Sequence, residues 1–268
     1  FGMFPGFGSS YQLDGFIDDL RIYNYARTQK QILQDMAGCV ETHCNASLHP
    51  ILDLHFDEGK GGTAYDSSGY GNNGTLYPGT TGGNTATSAM WDQNGKFGKA
   101  MAFDGTNDYV EVPNSTSLSL STNRVTIAGW VYPTNISGSW TTIVQRSNTN
   151  GSWFDWQFYS RASDAPTPGH PVFRVDWNQD GIMDANEQVQ GDIILQANTW
   201  YYIAATYDGT AMRFYIDGTL RGTTNISGAA VPASNKPVWI GGNDAWGEYF
   251  PGRIDEFRIY NRALSQSE

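Results

Sequence analysis

Two Asp-Gly pairs, one strand apart, place the strongest constraint on what this chain can fold into. Asp208-Gly209 follows the β-branched and aromatic segment 200–207, and Asp217-Gly218 follows segment 212–216. Asp-Gly between two such segments is typical of a tight β-hairpin turn, because Gly, and Asp to a lesser extent, tolerates a positive φ. The three segments from 200 to 222 therefore predict consecutive antiparallel strands.

The same alternation of strand-like segments and turn residues continues along most of the chain. Further strands are predicted at 51–56, 100–103, 109–112, 125–132, 172–175, 189–195, 238–242 and 254–260. Only residues 28–36 have the apolar spacing of a helix. Many short strands with turn residues between them predict an all-β fold, an antiparallel two-sheet sandwich or jelly roll.

An internal repeat suggests how the chain is divided. Residues 15–27 match residues 252–264 without a gap, with Gly, Ile, Asp, Arg, Ile, Tyr, Asn and Ala at the same positions. The second copy closes a strand-rich region, whereas too few residues precede the first to form a domain. We therefore interpret 1–36 as the end of a preceding module, 37–50 as a linker and 51–268 as a nearly whole module.

The two cysteines fall in the predicted linker. Four residues, the last of them His43, separate Cys39 from Cys44 in a Cys-x4-Cys spacing. We expect a small local disulfide, which is typical of exported proteins. The alternatives are a metal site that adds His43, His49 or a carboxylate to the thiolates, or two free thiols.

Charge and hydropathy exclude two classes of partner. The 268 residues include 16 basic and 27 acidic side chains, a net charge of −11. Nucleic-acid binding needs clustered Lys and Arg, so this balance argues against it. The longest apolar runs have five or six residues, too few for a helix that spans a bilayer.

Several motifs, taken together and in order, resemble a known family. They are Leu-His-Phe-Asp-Glu-Gly at 54–59, Asp-Ser-Ser-Gly-Tyr-Gly-Asn-Asn-Gly at 66–74, Gly-Lys-Ala-Met-Ala-Phe-Asp-Gly at 98–105, and the segments 200–209, 215–218 and 254–264. In this combination the chain resembles the laminin-G-like jelly roll of the concanavalin A-like lectin/glucanase superfamily. The resemblance implies two stacked antiparallel sheets with adjacent first and last strands. It also implies an extracellular, secreted or cell-surface setting within a multidomain protein.

One loop has the spacing of a calcium site. Residues 176–187 fit the pattern D-x-[DN]-x-[DN]-G-x5-E, in which oxygen ligands surround a hard cation. The flanking segments are strand-like, so we expect the loop alone, as an insertion near 176–187, without the usual pair of helices. An acidic turn that binds no metal is the alternative. The predicted ligands are Asp176, Asn178, Asp180, the carbonyl of Ile182, Asp184 and Glu187.

A second calcium site is implied by the resemblance. In this superfamily a calcium ion often joins the first and last strands. The matching residues are Asp255 with Asp57, Glu58 or the neighbouring backbone, and Asp104 is a further candidate. Asp18 is the counterpart of Asp255 in the first copy. The alternative is that these side chains form surface hydrogen bonds.

Aromatic residues in polar segments are candidates for stacking on sugar rings. The first group is Trp140, Trp153, Trp156 and Tyr159, the second is Trp246 with Tyr249, and a third candidate is Trp91. We assign Trp130, Trp200 and Trp239 to the core, because each lies within an apolar strand pattern.

The sequence contains no recognisable catalytic motif. It therefore favours a calcium-stabilised carbohydrate-binding or adhesion module whose partner is a polysaccharide or other glycan. A structural repeat that binds other modules of the same array or neighbouring chains is the alternative. A polysaccharide-degrading enzyme with a divergent active site is the third interpretation.

Overall fold

A computed structural model describes residues 49–120, 124–147, 154–177, 184–226, 231 and 233–268. Residues 46–268 form one of the two compact units into which the chain divides. The first copy of the repeat, the predicted helix 28–36, Cys39 and Cys44 lie outside the described residues, so the predictions made for them stay predictions.

The regular secondary structure of the described residues is almost entirely β-strand. They contain two short 3-10 helices, Thr87–Met90 and Ala185–Glu187, and no helix in the described part is long and apolar enough to cross a membrane. The strands are β1 Leu52–Leu54, β2 Thr63–Ala64, β3 Gly74–Tyr77, β4 Trp91–Asp92, β5 Ala100–Asp104, β6 Tyr109–Val112, β7 Val125–Pro133, β8 Trp140–Ser147, β9 Phe154–Ala162, β10 Val172–Val175, β11 Gln188–Gln190, β12 Tyr201–Tyr207, β13 Ala211–Ile216, β14 Thr219–Asn225, β15 Val238–Ile240, β16 Gly242–Asn243, β17 Glu248–Tyr249 and β18 Pro251–Tyr260.

The strands form two antiparallel sheets that pack into a sandwich. The first sheet has the order β14-β13-β12-β7-β18-β5-β4, and β1 also pairs with β18. The second has the order β11-β10-β9-β8-β15-β6-β3-β2, and β16 and β17 form a separate hairpin. The predicted all-β sandwich is confirmed.

Strand β18 joins the beginning of the module to its end. It pairs antiparallel with β1, where Leu52 lies opposite Ile259 and Leu54 opposite Phe257. These four side chains are buried, because alternate residues of both strands face the interior. The adjacent first and last strands that the resemblance implies are therefore present.

The core lies between the inner faces of the two sheets. Phe158 of β9 contacts Phe214 of β13 with ring centroids 5.3 Å apart, and Phe173 of β10 packs edge-on against Phe158. All three rings are buried. Full burial of one such side chain contributes about 1.5–3 kcal/mol, so this cluster is a main contact between the sheets.

The predicted turn at Asp217-Gly218 is confirmed. Ile216 pairs with Thr219 across it, and Asp217 and Gly218 have φ values of 50° and 73°. These angles are those of a two-residue turn whose twist matches the flanking strands. The segment 189–195 is shorter than predicted, since only Gln188–Gln190 pairs with β10.

Strands β8 and β9 are absent from the sequence-based prediction. Their outer face carries Thr, Gln, Asp and Arg side chains, which makes the segment resemble a polar loop. Both strands are nevertheless largely buried on both faces. These two strands form the centre of the surface described next.

Candidate functional site

A straight row of side chains crosses the outer face of the second sheet. Glu111 of β6 lies opposite Trp239 of β15, which lies opposite Gln145 of β8. Gln145 lies opposite Gln157 of β9, and Gln157 opposite Arg174 of β10. Side chains at paired positions share one face of a sheet, so residues from five strands meet in one line. We call these five residues the cross-sheet row.

The middle of the cross-sheet row is polar and buried. Gln145, Gln157 and Arg174 are each at most 3% exposed. The amide of Gln145 donates to Ser147 Oγ at 2.8 Å, but in the described part of the chain its Oε1 accepts no hydrogen bond. A buried polar atom without a partner costs free energy, so a water or ligand hydroxyl there would be favourable.

Aromatic rings continue the row toward the edge of the sheet. Tyr77 stacks on Tyr109 with centroids 4.9 Å apart and planes 14° apart, and Tyr109 contacts Trp239 at 5.6 Å. Tyr77 is 40% exposed, so its outer face is open to solvent. The Trp239 indole N–H donates to Glu111 Oε2 at 2.9 Å.

Asp244 connects the contacting rings of Tyr77, Tyr109 and Trp239 with the β16–β17 hairpin. Its Oδ1 accepts the phenol O–H of Tyr249 at 2.5 Å, and it also accepts the phenol of Tyr109. Burial raises the pKa of both tyrosines, and the Asp244 carboxylate raises each pKa further. Both phenols therefore stay protonated donors, which fixes their rings. We call Tyr77, Tyr109, Trp239, Tyr249 and Asp244 the tyrosine surface.

A second aromatic group lies at the other end of the row. The Arg174 guanidinium lies 5.2 Å from the Trp140 ring and 5.7 Å from the Tyr159 ring. The Tyr159 phenol donates to Glu248 Oε2 at 2.8 Å, and burial raises the pKa of Glu248. The side chains of this group contact one another, so the Trp140 and Tyr159 rings already pack against neighbouring side chains.

The structure separates the predicted sugar-binding aromatics. Trp246, at 38% exposed, lies on the β16–β17 hairpin together with Tyr249, which belongs to the tyrosine surface. Trp140 is half-buried against Tyr159. Trp153 lies outside the described residues, so its role stays a prediction.

Three predicted stacking residues are wrong, because they are buried. Trp156 is 1% exposed and faces the core, Tyr159 is 2% exposed, and Trp91 is 6% exposed with its indole N–H bonded to Gly61 O at 2.9 Å. A ring with no accessible face cannot stack on a sugar.

The three tryptophans assigned to the core all lie on outer faces. Trp130 is half-exposed on the first sheet, beside Tyr202 at 5.4 Å, and Trp200 is half-exposed beside Tyr132 at 5.2 Å. Trp239 is 2% exposed, but other residues of the outer face cover it. In an antiparallel strand the apolar composition does not decide which face a large ring occupies.

The described part of the 176–187 loop brings three carboxylates near one another. Asp176 and Glu187 are buried, and burial raises the pKa of Glu187, which the charges of Asp176 and Asp184 raise further. The Glu187 oxygens accept the N–H of Trp177 at 3.1 Å and of Asp184 at 3.0 Å. Asn178, Asp180 and Ile182 lie outside the described residues, so half of the predicted ligands are not placed.

The four carboxylates predicted for the second calcium site do not form a cluster. Asp255 Oδ2 accepts the N–H of Phe97 at 2.9 Å, and Asp57 Oδ1 accepts the N–H of Lys99 at 2.8 Å, so both hold one loop. Asp104 lies opposite Pro251, four positions along β18 from Asp255.

The carboxylates predicted for the second calcium site lie at different positions, and their oxygens already accept hydrogen bonds from backbone N–H groups. The Glu58 Oε1 atom accepts the N–H of Tyr65 at 2.7 Å. Among the described residues, no group of three or more Asp, Glu, His or Cys side chains is placed to hold a metal. Among the described residues these four side chains do not gather at one point, and the second calcium site stays a prediction.

Sequence reasoning missed most of the tyrosine surface. Tyr77, Tyr109 and Asp244 are far apart in sequence, and only strand pairing and the hairpin bring them together. The alternation of Tyr109, Val110, Glu111 and Val112 was a usable signal, because it puts Tyr109 and Glu111 on one face.

These features define a β-sandwich domain with aromatic and polar side chains on an outer sheet face. Residues 104–268 match the Laminin_G_3 family model, described as the concanavalin A-like lectin/glucanases superfamily. The match covers more than half of the chain, so the chain belongs to this superfamily. No curated protein matches it.

Solved structures of binding domains share the fold. One is domain 4 of AbnA, a GH43 extracellular arabinanase from Geobacillus stearothermophilus, in complex with arabinotriose. The identity is 22% and the TM-score 0.54, over 82% of this chain and 95% of that one. At this identity the similarity shows the fold alone.

Two toxin domains are similar to the same degree. The binding domain of Paraclostridial Mosquitocidal Protein 1 is 18% identical with a TM-score of 0.57, over 83% of this chain and 51% of that one. The botulinum neurotoxin serotype D ligand binding domain, in complex with N-acetylneuraminic acid, is 18% identical with a TM-score of 0.55, over 83% and 49%. The chain thus spans about half the length of these toxin domains.

Proposed function

We propose that this domain is a carbohydrate-binding module that holds a neutral glycan on the tyrosine surface. The observation that carries the proposal is the stacked pair of exposed Tyr77 and half-buried Tyr109. Asp244 holds Tyr109, which also lies beside the indole of Trp239. The sugars bound by the arabinanase domain and the toxin domain support a carbohydrate ligand in general, and the neutral arabinotriose of the first supports a neutral one.

The chemistry of the surface fits a sugar with hydroxyl groups. A pyranose or furanose ring has an apolar C–H face, which packs on an aromatic ring, and a rim of hydroxyls, which donate to carboxylates. Tyr77 and Trp246 supply open ring faces, and Asp244 and Glu111 supply acceptors. The net charge of −11 and these two carboxylates disfavour acidic sugars.

Isothermal titration calorimetry with arabinotriose and a panel of neutral oligosaccharides tests the proposal. We expect Tyr77→Ala and Trp246→Ala to weaken binding at least about tenfold each, which corresponds to about 1.4 kcal/mol. Phe97→Ala is the matched control, since Phe97 is an exposed aromatic residue on the other side of the sandwich, 6.0 Å from Trp130. No affinity for any neutral glycan, or equal losses in all three variants, would refute the proposal.

We infer that the module acts outside the cell, where its parent protein contacts polysaccharide, with adhesion as the simplest role. The extracellular arabinanase domain of the same fold supports this placement. Fractionation of the producing cells tests it: the full-length protein is expected in the medium or on the cell surface. Recovery only from the interior would overturn the inference.

Calcium binding at the 176–187 loop is a further part of the proposal. The spacing of acidic and amide side chains supports it, as do the charges of Asp176 and Asp184 that act on Glu187, because a cation would relieve this repulsion. The two Glu187 oxygens already accept backbone N–H groups, but each carboxylate oxygen has a further lone pair for a metal. A bound calcium would stabilise the folded module and supply no catalytic chemistry.

Thermal and chemical unfolding with calcium or with a chelator tests the metal site. Calcium at about 100 times its Kd stabilises a folded protein by about 2.7 kcal/mol. The double variant Asp176→Asn, Glu187→Gln is expected to lose this gain. Asp192→Asn is the control, since Asp192 is an exposed nearby acid that pairs with Arg221 at 3.6 Å. Equal stability of the wild-type protein in calcium and in chelator would exclude the site.

A further inference from the structure

The outer face of the first sheet has a depression that none of the features above uses. Tyr202 lies opposite Trp130, and the next outward position of β12, Ala204, lies opposite Ala128 on one side and Tyr215 on the other. Two alanines between larger rings leave a low area in the sheet surface. The aromatic side chains at its edge are half-exposed.

This depression is a crevice of about 200 Å³. Its walls are Tyr202 and Tyr215 on one side and the C-terminal segment 264–268 on the other, and its floor is Ala204 with the hydroxyl residues Thr126 and Thr206. Sites for drug-sized ligands measure about 300–1,000 Å³. The crevice is smaller and admits a single ring.

The wall formed by the C-terminal segment is fixed by hydrogen bonds. The Thr126 hydroxyl donates to Arg262 O at 2.8 Å and accepts the Leu264 N–H at 2.9 Å. The Gln266 amide donates to Gly218 O at 3.0 Å. The crevice is therefore a formed cavity between a rigid sheet and an anchored segment.

Its chemistry combines aromatic walls with uncharged polar groups. The one carboxylate in the lining, Glu268, is paired with Arg262 at 2.8 Å, so no uncompensated charge faces the cavity from the segment. Aromatic walls suit the C–H face of a sugar, and hydroxyl and amide groups suit its rim. This combination does not favour an anion or a metal.

We propose that this crevice is a second carbohydrate site, which takes one neutral sugar ring, such as the terminal residue of a glycan. It lies on the sheet opposite the tyrosine surface and does not share side chains with it. One domain then holds glycans on both sides of the sandwich. Sugar binding in the crevice does not depend on the function proposed above, because the crevice and the tyrosine surface are formed by different residues.

Saturation-transfer NMR with methyl glycosides of arabinose, glucose, galactose and mannose tests the crevice. A single ring with these few contacts is expected to bind with a Kd of about 1–10 mM. Ala204→Leu fills the floor and Tyr215→Ala removes a wall, so each is expected to weaken binding at least tenfold. Tyr215→Phe keeps the ring and should retain most of it.

Two matched control variants test whether the loss of glycoside binding arises in the crevice. Ala102→Leu makes the same substitution on the outer face of the same sheet, opposite Arg253 and away from the crevice. Tyr77→Ala alters only the tyrosine surface. Both are expected to keep the glycoside signal, and of these two controls only Tyr77→Ala is expected to weaken arabinotriose binding, so failure of one site is distinguishable from failure of the other.

Two results would refute the proposal that the crevice binds a sugar. One is no transfer from any of the glycosides at tens of millimolar to the wild-type protein. The other is a signal that neither Tyr215→Ala nor Ala204→Leu reduces. If Ala204→Leu lowers the melting temperature, the half-exposed position of Tyr215 makes Tyr215→Ala the deciding variant.

Discussion

Asp255 is a buried acid in the middle of strand β18, and its ionisation should set part of the pH dependence of stability. The side chain is fully buried, and burial raises its pKa to about 6 from an ordinary 3.8. The N–H of Phe97, 2.9 Å from Oδ2, favours the ionised form but does not offset burial. In the described part of the chain, Oδ1 accepts no hydrogen bond.

The sign follows from the direction of the shift. The folded state binds the proton more tightly than the unfolded state, so the contribution of this group to stability is greatest below about pH 4. It is lost as the pH rises from about 4 to about 6. The difference between 6 and 3.8, at about 1.36 kcal/mol per pH unit, sets a maximum loss of about 3 kcal/mol.

Asp255→Asn isolates this contribution. The amide has no proton to lose in this range and keeps an oxygen that accepts the Phe97 N–H. Urea unfolding followed by tryptophan fluorescence, from pH 4 to pH 7, gives the free energy of unfolding for both proteins. The variant is expected to gain on the wild-type protein by up to about 3 kcal/mol as the pH rises.

Asp57→Asn serves as the control. Asp57 is exposed and accepts the N–H of Lys99 at 2.8 Å on the same loop, so this variant alters a similar hydrogen bond without removing a buried acid. This variant should retain the pH dependence of the free energy of unfolding that is attributed to Asp255. A difference between wild-type protein and Asp255→Asn that stays constant from pH 4 to pH 7 would refute the reasoning.

Three further substitutions probe the sandwich, each measured by urea unfolding. Phe214→Ala removes a fully buried ring that packs on Phe158 from the other sheet, and should cost about 3–5 kcal/mol; a loss below about 1 kcal/mol would contradict this packing. Gly241→Ala should cost at least about 2 kcal/mol, because Gly241 has φ +84° and a Cβ there would lie 2.1 Å from the Phe103 ring; unchanged stability would show that the turn is different. Thr126→Val deletes the hydroxyl that holds the C-terminal segment and should cost about 1–3 kcal/mol, with faster amide exchange in 262–266; unchanged exchange would show that the segment is held elsewhere.

The sequence alone predicts most strands of the first sheet, because local signals are strong there. The segments 125–132 and 212–216 are within one residue of strands β7 and β13. The Asp217-Gly218 turn is as predicted, since only residues that tolerate positive φ fit it.

The second sheet is harder to predict, because its central strands have polar outer faces. Gln145 and Gln157 look like loop residues in sequence, yet they lie opposite each other in paired strands and are buried. For the same reason Trp156, which looks like a surface aromatic in a polar segment, faces the core.

What the sequence determines by itself is the all-β class, most of the turns and the superfamily, through residues that act locally or as a closing motif. Which side chains meet on a face is decided only by the tertiary structure. Tyr77 reaches Tyr109, and Trp130 reaches Tyr202, through strand register, which depends on how distant segments bury their apolar faces together. Both candidate glycan sites are made of such cross-strand neighbours, so the fold specifies them and no local motif does.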